Sequence, residues 1–297
     1  MIQMRDDVKA LFPEGDAEAF LTIDGEVVKH VVASRRIISF ERGGRCFFMK
    51  QHYGVGWAEI FKNLFQFKLP VIGAEQERSA IEAFGQPGVE IETATLAAWG
   101  KAGWNPAHQR SFIITDALFN TQDLESYLPE LARHPDRRAA LHLKRAILNK
   151  VGDIARRLHG NGMNHRDFYL CHFRIQLPES DLPDPLDLHI YLMDLHRVQI
   201  RATVPHRWVV KDIAGLLFSA LYDARELPLT RGDILRFIET YTGLPWRDAL
   251  VQHAQLWRDV IRRIKWTYQH DHGRLPVLPR WMENSFKQHD PMQTGKS

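Results

Sequence analysis

The stretch NHRDFYLCHF, residues 164–173, is the most informative part of this chain because it joins two predicted elements of different kinds. Before it, residues 136–159 have apolar side chains at intervals of three and four, which predicts one long amphipathic helix. The turn-forming sequence Gly-Asn-Gly at 160–162 ends that helix. After it, the runs HFRIQL at 172–177 and LHIYLMDL at 188–195 predict the two strands of a β-hairpin. A short charged loop is therefore expected between a helix and a hairpin.

Within this loop, His165, Arg166 and Asp167 form the tripeptide that carries the proton-accepting aspartate in protein kinases. Those enzymes place a magnesium-binding Asn five residues after the Asp, and here that position is His172. The motif is therefore incomplete, and the elements around it must decide its meaning. A zinc site built from the histidines is not expected, because the chain has no Cys-x-x-Cys or His-Glu-x-x-His spacing.

The sequence changes character near residue 115. Before it, β-branched and aromatic residues favour strands in three runs. These runs are VVKHVVASRRIISFE at 27–41, RGGRCFFMKQH at 42–52 and SFIITDAL at 111–118. One helix is predicted between them at 73–88, where Glu77, Ile81 and Phe84 share a face and Gly85 ends the helix. Residues 1–115 are therefore expected to form a small antiparallel sheet with one helix, and residues 116–297 a larger, mainly helical part, which makes the fold class α+β.

Composition limits the possible functions without choosing among them. The chain has 297 residues, 44% hydrophobic residues and 25% charged residues, which is ordinary for a globular protein. A net charge of +3 with a pI near 8.8 favours anionic partners. Two cysteines cannot form a disulfide framework, no signal peptide is recognised, and no apolar run is long enough to span a membrane. A cytoplasmic protein is expected, and nucleic-acid binding is not, since no known module accompanies the charge.

The order of these elements resembles the two-lobed fold of the protein-kinase-like superfamily. Four strings are similar to those of the lipopolysaccharide core heptose kinase family. They are GVGWAEIFKNLFQFKLPVIGAEQE at 54–77, NHRDFYLCHF at 164–173, MDLHR at 193–197 and RWVVKDIAGLLFSAL at 207–221. The resemblance implies an ATP-dependent kinase with a sheet-containing N-terminal lobe and a helical C-terminal lobe.

The resemblance assigns roles to particular residues. Lys50, at the end of an apolar strand, is expected to bind the triphosphate and to pair with Glu77 rather than with Glu75. Asp167 is expected to accept the proton of the acceptor hydroxyl, and Asp194 to bind Mg²⁺. The alternative for Asp194 is a structural carboxylate at a turn.

Four further expectations concern the residues around these. His172 occupies the second metal position, although imidazole is a poor Mg²⁺ ligand. The segment from Asp116 to Leu118 is expected to contact the adenine. Asp212 resembles the buried kinase aspartate that holds the catalytic-loop backbone. The segment before Lys50 lacks a Gly-x-Gly-x-x-Gly loop, so phosphate contacts there must come from other amides or from basic residues. Those basic residues are Lys29, Arg35 and Arg36.

The resulting hypothesis is a kinase that transfers the γ-phosphoryl group of ATP, with Mg²⁺, to a heptose of the lipopolysaccharide inner core. Two alternatives stay open: a kinase of the same fold with another acceptor, such as Kdo, another small molecule or a protein, and a pseudokinase that binds nucleotide or lipid without turnover. Two basic, apolar segments, at 52–70 and 256–269, suit peripheral contact with the anionic inner face of the inner membrane. Packing against the lobes is the other explanation for both segments.

Overall fold

The structure is a computed structural model. It describes residues 1–12, 16–32, 35–54, 56–57, 61, 73–105, 107–179, 181–224 and 229–279, with the side chains of 29–32 left out. Most of the basic, apolar segment at 52–70, most of the string at 54–77 and the side chain of Lys29 therefore lie outside the described residues. The chain forms two compact units, Met1–Phe119 with Asp194–Gln199, and Asn120–Met193 with Ile200–Ser297. The first unit thus ends a few residues after the expected boundary at 115 and includes the segment after the hairpin.

The first unit contains a six-stranded antiparallel sheet in the order β1-β5-β6-β4-β3-β2. Its strands are β1 (Ile2–Met4), β2 (Glu26–Val32), β3 (Arg35–Arg42), β4 (Arg45–His52), β5 (Leu96–Ala102) and β6 (Arg110–Asp116). Its α-helices include α1 (Ala17–Leu21) and α2 (Glu75–Phe84), and Asp6–Leu11 forms a 3₁₀ helix. The helix predicted at 73–88 is confirmed as α2, with Gly85 as its C-cap.

Side chains along β4 alternate between the two faces of the sheet. Phe47 and Met49 are fully buried in the core of the first unit. Since successive side chains of a strand point to opposite faces, Lys50 lies on the other face of the sheet from Met49. A single strand thus contributes both packing residues and a polar residue.

The sequence missed several parts of the first unit. β1, β5, α1 and the 3₁₀ helix were not predicted, and the run at 27–41 forms two antiparallel strands instead of one. Tertiary burial stabilises the N-terminal segment, where Val8, Phe12 and Phe20 enter the same core as β4. A segment of this length has little stability by itself, so its own sequence carries only a weak signal.

The second unit is mainly helical, as predicted. Its helices are α3 (Leu124–Ala132), α4 (Arg137–Gly160), α5 (His206–Phe218), α6 (Arg231–Thr242), α7 (Trp246–Gln252) and α8 (Ala254–His272). Strands β7 (Thr121–Asp123), β9 (Phe173–Gln176) and β10 (Ile190–Leu192) form a three-stranded sheet, and β8 (Met163–Asn164) is a short strand. The short strand β11 (Gln199–Ile200) begins at the last residue of the first unit. The predicted hairpin is confirmed, because β9 and β10 pair antiparallel. Within the described residues, no helix is long and apolar enough to cross a membrane.

Helix α4 and the turn after it place the charged loop. Asp136 caps the N-terminus of α4 by accepting hydrogen bonds from the amides of Arg138 and Ala139. Gly162 has a φ of 73°, and an added Cβ atom would overlap the carbonyl oxygen of Arg201. Glycine is therefore required at this turn, which leads directly into the loop at 164–173.

Candidate active site

Lys50 and Glu77 form an ion pair in the first unit. Strand β4 carries Lys50 and helix α2 carries Glu77, and the Nζ and Oε1 atoms are 2.5 Å apart. The Glu77 side chain is only 7% exposed, which strengthens the attraction relative to a surface pair. Glu75 instead pairs with Lys101 at 3.0 Å and is 55% exposed. The contact predicted for Lys50 is therefore made by Glu77 and not by Glu75.

Asp194 lies beside this ion pair. Its Oδ1 atom is 3.8 Å from the Nζ atom of Lys50 and 2.6 Å from the Nδ1 atom of His196. The side chain makes no capping hydrogen bond to the 3₁₀ helix that follows, Leu195–Arg197. Asp194 also has a left-handed backbone, with φ 60° and ψ 53°. Such a conformation is costly for a residue other than glycine and is common at functional sites.

Arg35 is the second cation that approaches Asp194. It begins β3, its side chain is 13% exposed, and its Nη2 atom lies 4.0 Å from Oδ1 of Asp194. Its buried Nε atom has no hydrogen-bond acceptor among the described residues. Arg36, the next residue, instead pairs with Asp24 at 2.8 Å. Of the three basic residues considered for phosphate contacts, Arg35 thus lies near Lys50 and Asp194, whereas Arg36 has a separate partner.

His52 shares this environment without being charged. Burial lowers its pKa to about 3, and the positive charges of Arg35 and Lys50 act in the same direction. A neutral imidazole here avoids adding a further positive charge beside Arg35 and Lys50. Sequence reasoning did not single out His52.

The segment predicted to contact adenine follows β6. The carboxylate of Asp116 is held by Arg5 at 2.8 Å and by Arg45 at 3.0 Å, so its side chain serves the structure of the first unit. The Ala117 amide donates to the carbonyl oxygen of Cys46. Within the described part of the chain, the Leu118 amide donates no hydrogen bond. Leu118 therefore offers a backbone donor, while the adenine contact itself stays a prediction.

Asp212 of α5 holds the backbone of the charged loop in the second unit. The Oδ2 atom of Asp212 accepts a hydrogen bond from the His165 amide at 2.6 Å, and Oδ1 accepts one from the Arg166 amide at 2.8 Å. Asp212 is fully buried. These bonds hold Arg166 in a left-handed conformation, with a φ of 74°. The predicted attachment of the loop backbone to Asp212 is confirmed.

His165 and His172 each fix the loop through a hydrogen bond from an imidazole ring to a backbone carbonyl oxygen. The Nε2 atom of His165 donates to the carbonyl oxygen of Met193 at 2.9 Å, and burial lowers the pKa of this imidazole. The Nδ1 atom of His172 lies 2.6 Å from the carbonyl oxygen of Asp167. Because a carbonyl can only accept, this ring nitrogen carries the proton. The structure thus brings His172 to Asp167, and any metal at His172 would have to be held through Nε2.

Lys211 is a site residue that sequence reasoning missed. Its Nζ atom lies 3.9 Å from Oδ1 of Asp167 and also contacts the carbonyl oxygen of Arg166. Lys211 directly precedes Asp212, so the string at 207–221 contained a signal for its position. A lysine on a helix is commonplace, however, and only folding brings it to the loop.

The residues of the first unit fit a magnesium–nucleotide complex. Mg²⁺ prefers oxygen ligands and is often bound through one or two carboxylates together with substrate phosphates. The Asp194 carboxylate supplies such oxygens, and Lys50 and Arg35 supply positive charge next to it. No group of three or more His, Cys, Asp or Glu side chains suited to a metal occurs among the residues that the structure describes.

A family model described as "Lipopolysaccharide kinase (Kdo/WaaP) family" matches residues 18–241. The chain belongs to this family. Within it, the chain is similar to the lipopolysaccharide core heptose(I) kinase WaaP of Escherichia coli K12, with 38% identity over 251 residues, 84% of this chain and 90% of the relative. The corresponding WaaP of Pseudomonas aeruginosa is 40% identical over 252 residues, 85% of this chain and 90% of the relative.

A solved structure of WaaP in complex with acyl carrier protein has the same fold as this member of the Kdo/WaaP family. The TM-score is 0.72 with 33% identity, and the match covers 90% of this chain and 99% of that one. The expected protein-kinase-like fold and the resemblance to heptose kinases are thus both confirmed.

Proposed function

We propose that this chain is an ATP-dependent kinase that phosphorylates a heptose of the lipopolysaccharide inner core. The observation that carries the proposal is the Lys50–Glu77 ion pair with Asp194 3.8 Å from the lysine, in a chain whose relatives are named heptose(I) kinases. Lysine, glutamate and metal-binding aspartate are the parts that phosphoryl transfer needs on the nucleotide side. The pseudokinase alternative has less support, since these side chains and Asp167 are all present.

On the nucleotide side, Lys50 and Arg35 would neutralise the phosphates and Asp194 would hold Mg²⁺. The metal, when bound, supplies positive charge that stabilises the charge developing on the transferred group. Glu77 holds the Lys50 ammonium in place. Arg35 would replace part of the missing glycine-rich loop, because a guanidinium binds phosphate oxygens through two parallel donors. The Leu118 amide is proposed to bind the adenine.

On the acceptor side, Asp167 would orient the heptose hydroxyl and accept its proton. The hydroxyl oxygen forms a bond to the γ-phosphorus, the bond from that phosphorus to the β–γ bridging oxygen breaks, and ADP leaves. The proton moves to the Asp167 carboxylate. Lys211 and His172 position this carboxylate and its backbone. The second metal position of His172 stays a prediction, and positioning of the loop is the role that its hydrogen bond supports.

The experiment is a transfer assay with γ-labelled ATP, Mg²⁺ and a panel of acceptors. The panel contains dephosphorylated core lipopolysaccharide, a truncated core that ends at Kdo, a general protein substrate and an aminoglycoside. We expect label on the heptose-containing acceptor alone, and its loss on chelation of the metal. Label on the Kdo-only core would favour the Kdo kinase alternative. Nucleotide binding without label on any acceptor would favour the pseudokinase.

Two partner proposals accompany this function. Trp57 and Phe61 are about half exposed and stacked on each other at 5.7 Å, which suits peripheral contact with a membrane surface. Salt-sensitive binding to anionic vesicles, lost in Trp57→Ser, is the expected result.

Acyl carrier protein is the second proposed partner, because a relative with the same fold was solved in complex with it. Co-elution of the two purified proteins in size-exclusion chromatography tests this contact.

A further inference from the structure

Helices α5 and α8 enclose a basic groove in the second unit. The groove has a volume of about 400 Å³. Its polar and aromatic lining consists of His206, Arg207, Asp259, Arg262, Arg263 and Trp266. Four basic side chains thus surround a single carboxylate, and none of these residues takes part in the site described above.

The single carboxylate of the groove is already engaged. Asp259 lies 2.9 Å from the Nε2 atom of His206 and 2.6 Å from the Nη1 atom of Arg262. Among the described residues, Asp259 therefore pairs with Arg262 and His206, and not with Arg207 or Arg263.

Arg207 and Arg263 have aromatic neighbours instead of carboxylates. Within the described part of the chain, neither forms an ion pair, and their guanidinium carbons lie 5.5 Å from the Trp208 ring and 4.3 Å from the Trp266 ring. Contact with an indole holds a guanidinium in place without neutralising it. Two positioned positive charges at one groove suit an anionic ligand, because arginine makes charge-assisted contacts with carboxylate and phosphate groups.

The groove lies close to Lys211, the residue that contacts the proposed catalytic base. Arg207 and Lys211 are four residues apart on α5 and therefore lie on the same face of this helix, one turn from each other. Lys211 in turn lies 3.9 Å from Asp167. The groove thus begins about one helical turn, roughly 5 to 6 Å, from the lysine that contacts the proposed catalytic base.

We propose that this groove binds a carboxylate or phosphate group of the acceptor glycolipid, next to the sugar that is phosphorylated. The proposal rests on the proposed function, since it needs a lipopolysaccharide acceptor. Arg207 and Arg263 contact the anionic group, and the half-exposed Trp266 ring provides an apolar wall beside it. By binding this anionic group, the groove distinguishes the inner-core acceptor from a neutral sugar.

The test compares the double variant Arg207→Glu/Arg263→Glu with Arg247→Glu. Arg247 is a matched control, because its guanidinium lies 4.3 Å from the Trp246 ring, as Arg263 does from Trp266, but outside the groove. Arg207 is the second residue of α5, where a glutamate is favoured by the helix dipole, so the variant should fold. Thermal unfolding of all three proteins verifies this.

For the double variant, we expect the KM for core lipopolysaccharide to rise about tenfold or more, with the KM for ATP and kcat at saturation within about twofold of the wild type. The same two proteins are then compared with an acceptor whose phosphates are removed and whose carboxylates are reduced. With this acceptor, the KM of the double variant should equal that of the wild type, because the anionic group that the two arginines contact is gone, as in a double-mutant cycle. Arg247→Glu should behave like the wild type. An unchanged acceptor KM in the double variant overturns the proposal, and so does a fall in kcat alone.

Two further measurements keep this proposal distinct from the proposed function. Binding to immobilised core lipopolysaccharide needs no turnover, so it tests the groove even if the wild type transfers no phosphate to heptose. We expect the double variant to bind about tenfold more weakly than the wild type and Arg247→Glu. Equal binding of all three overturns the proposal. Vesicles of anionic phospholipid without acceptor form the second measurement: a loss of vesicle binding with unchanged acceptor binding would assign the groove to the membrane and also overturn it.

Discussion

The Nζ atom of Lys211 lies 3.9 Å from the Oδ1 atom of Asp167, and the same ammonium group contacts the carbonyl oxygen of Arg166. Lys211, on helix α5, thus contacts the charged loop at two points, the side chain of Asp167 and the backbone of Arg166. The next residue, Asp212, holds the amides of the same loop. Two consecutive residues of one helix therefore fix the position of the aspartate that is proposed as the base.

Asp167→Asn tests that base directly. We expect kcat to fall by about 10²–10⁴-fold, because general-base catalysis contributes this much, while the Kd of the nucleotide changes little. Isothermal calorimetry with a non-hydrolysable nucleotide measures the second quantity. Asp187→Asn, at a side chain that is 82% exposed in the same unit, is the control. A kcat close to that of the wild type would mean that the loop at 164–173 is not catalytic.

Glu77→Gln should impair the nucleotide side, whereas Glu75→Gln should not. Without the Glu77 charge, the Lys50 ammonium loses the partner that lies 2.5 Å away, so we expect kcat/KM for ATP to fall about tenfold or more. Glu75 lies on the same helix and pairs with Lys101 at the surface, which makes its substitution a matched control. Steady-state kinetics with varied ATP measures both. Equal effects of the two substitutions would contradict the assignment of Glu77.

Arg35→Ala and Arg36→Ala provide a second matched pair. Arg35 approaches Asp194 and is largely buried, whereas Arg36 pairs with Asp24. A charge-assisted contact to phosphate contributes about 1.5–3 kcal/mol, so Arg35→Ala should raise the KM for ATP about tenfold or more. Arg36→Ala should leave it within about twofold. Adenosine binding distinguishes a phosphate contact from a folding defect, since it should be the same in both variants.

His52 is expected to make the protein sensitive to acid. Its pKa is about 3 in the folded protein and 6.5 in the unfolded chain, so between these values the unfolded chain binds a proton that the folded protein does not. Stability is therefore full above the unfolded pKa and decreases as the pH falls toward the folded one. Between about pH 7 and about pH 5, the loss due to this residue is about 2 kcal/mol.

Chemical denaturation of His52→Gln at both pH values measures this contribution. The variant should lose about 2 kcal/mol less than the wild type on acidification, because glutamine does not titrate. His108→Gln, at an exposed histidine of the same unit, is the control. The same acid sensitivity in His52→Gln and the wild type would show that other groups are responsible.

Elements that have a strong local signal could be predicted from the amino-acid sequence. The apolar intervals at 136–159 predicted α4, the hairpin runs predicted β9 and β10, and the order of strands, helices and loop predicted the kinase-like fold. A long amphipathic helix and a hairpin are specified by residues that are close along the chain, so their pattern is readable without the structure. The motif strings likewise selected Asp167 and Asp194, and the position of Lys50 at the end of an apolar strand selected that residue, although the roles of all three remain predictions.

Most contacts between side chains that are far apart along the chain could be read only from the folded structure. It placed Arg35 near Asp194 and Lys211 at Asp167, and it confirmed the contact between Lys50 and Glu77 that the resemblance had already implied. These contacts depend on the registers of a sheet and on helix packing, which bring together residues that are far apart along the chain and give no local periodic signal. The N-terminal strand and helices were missed for the same reason, because burial in a shared core stabilises them and their own short sequences do not.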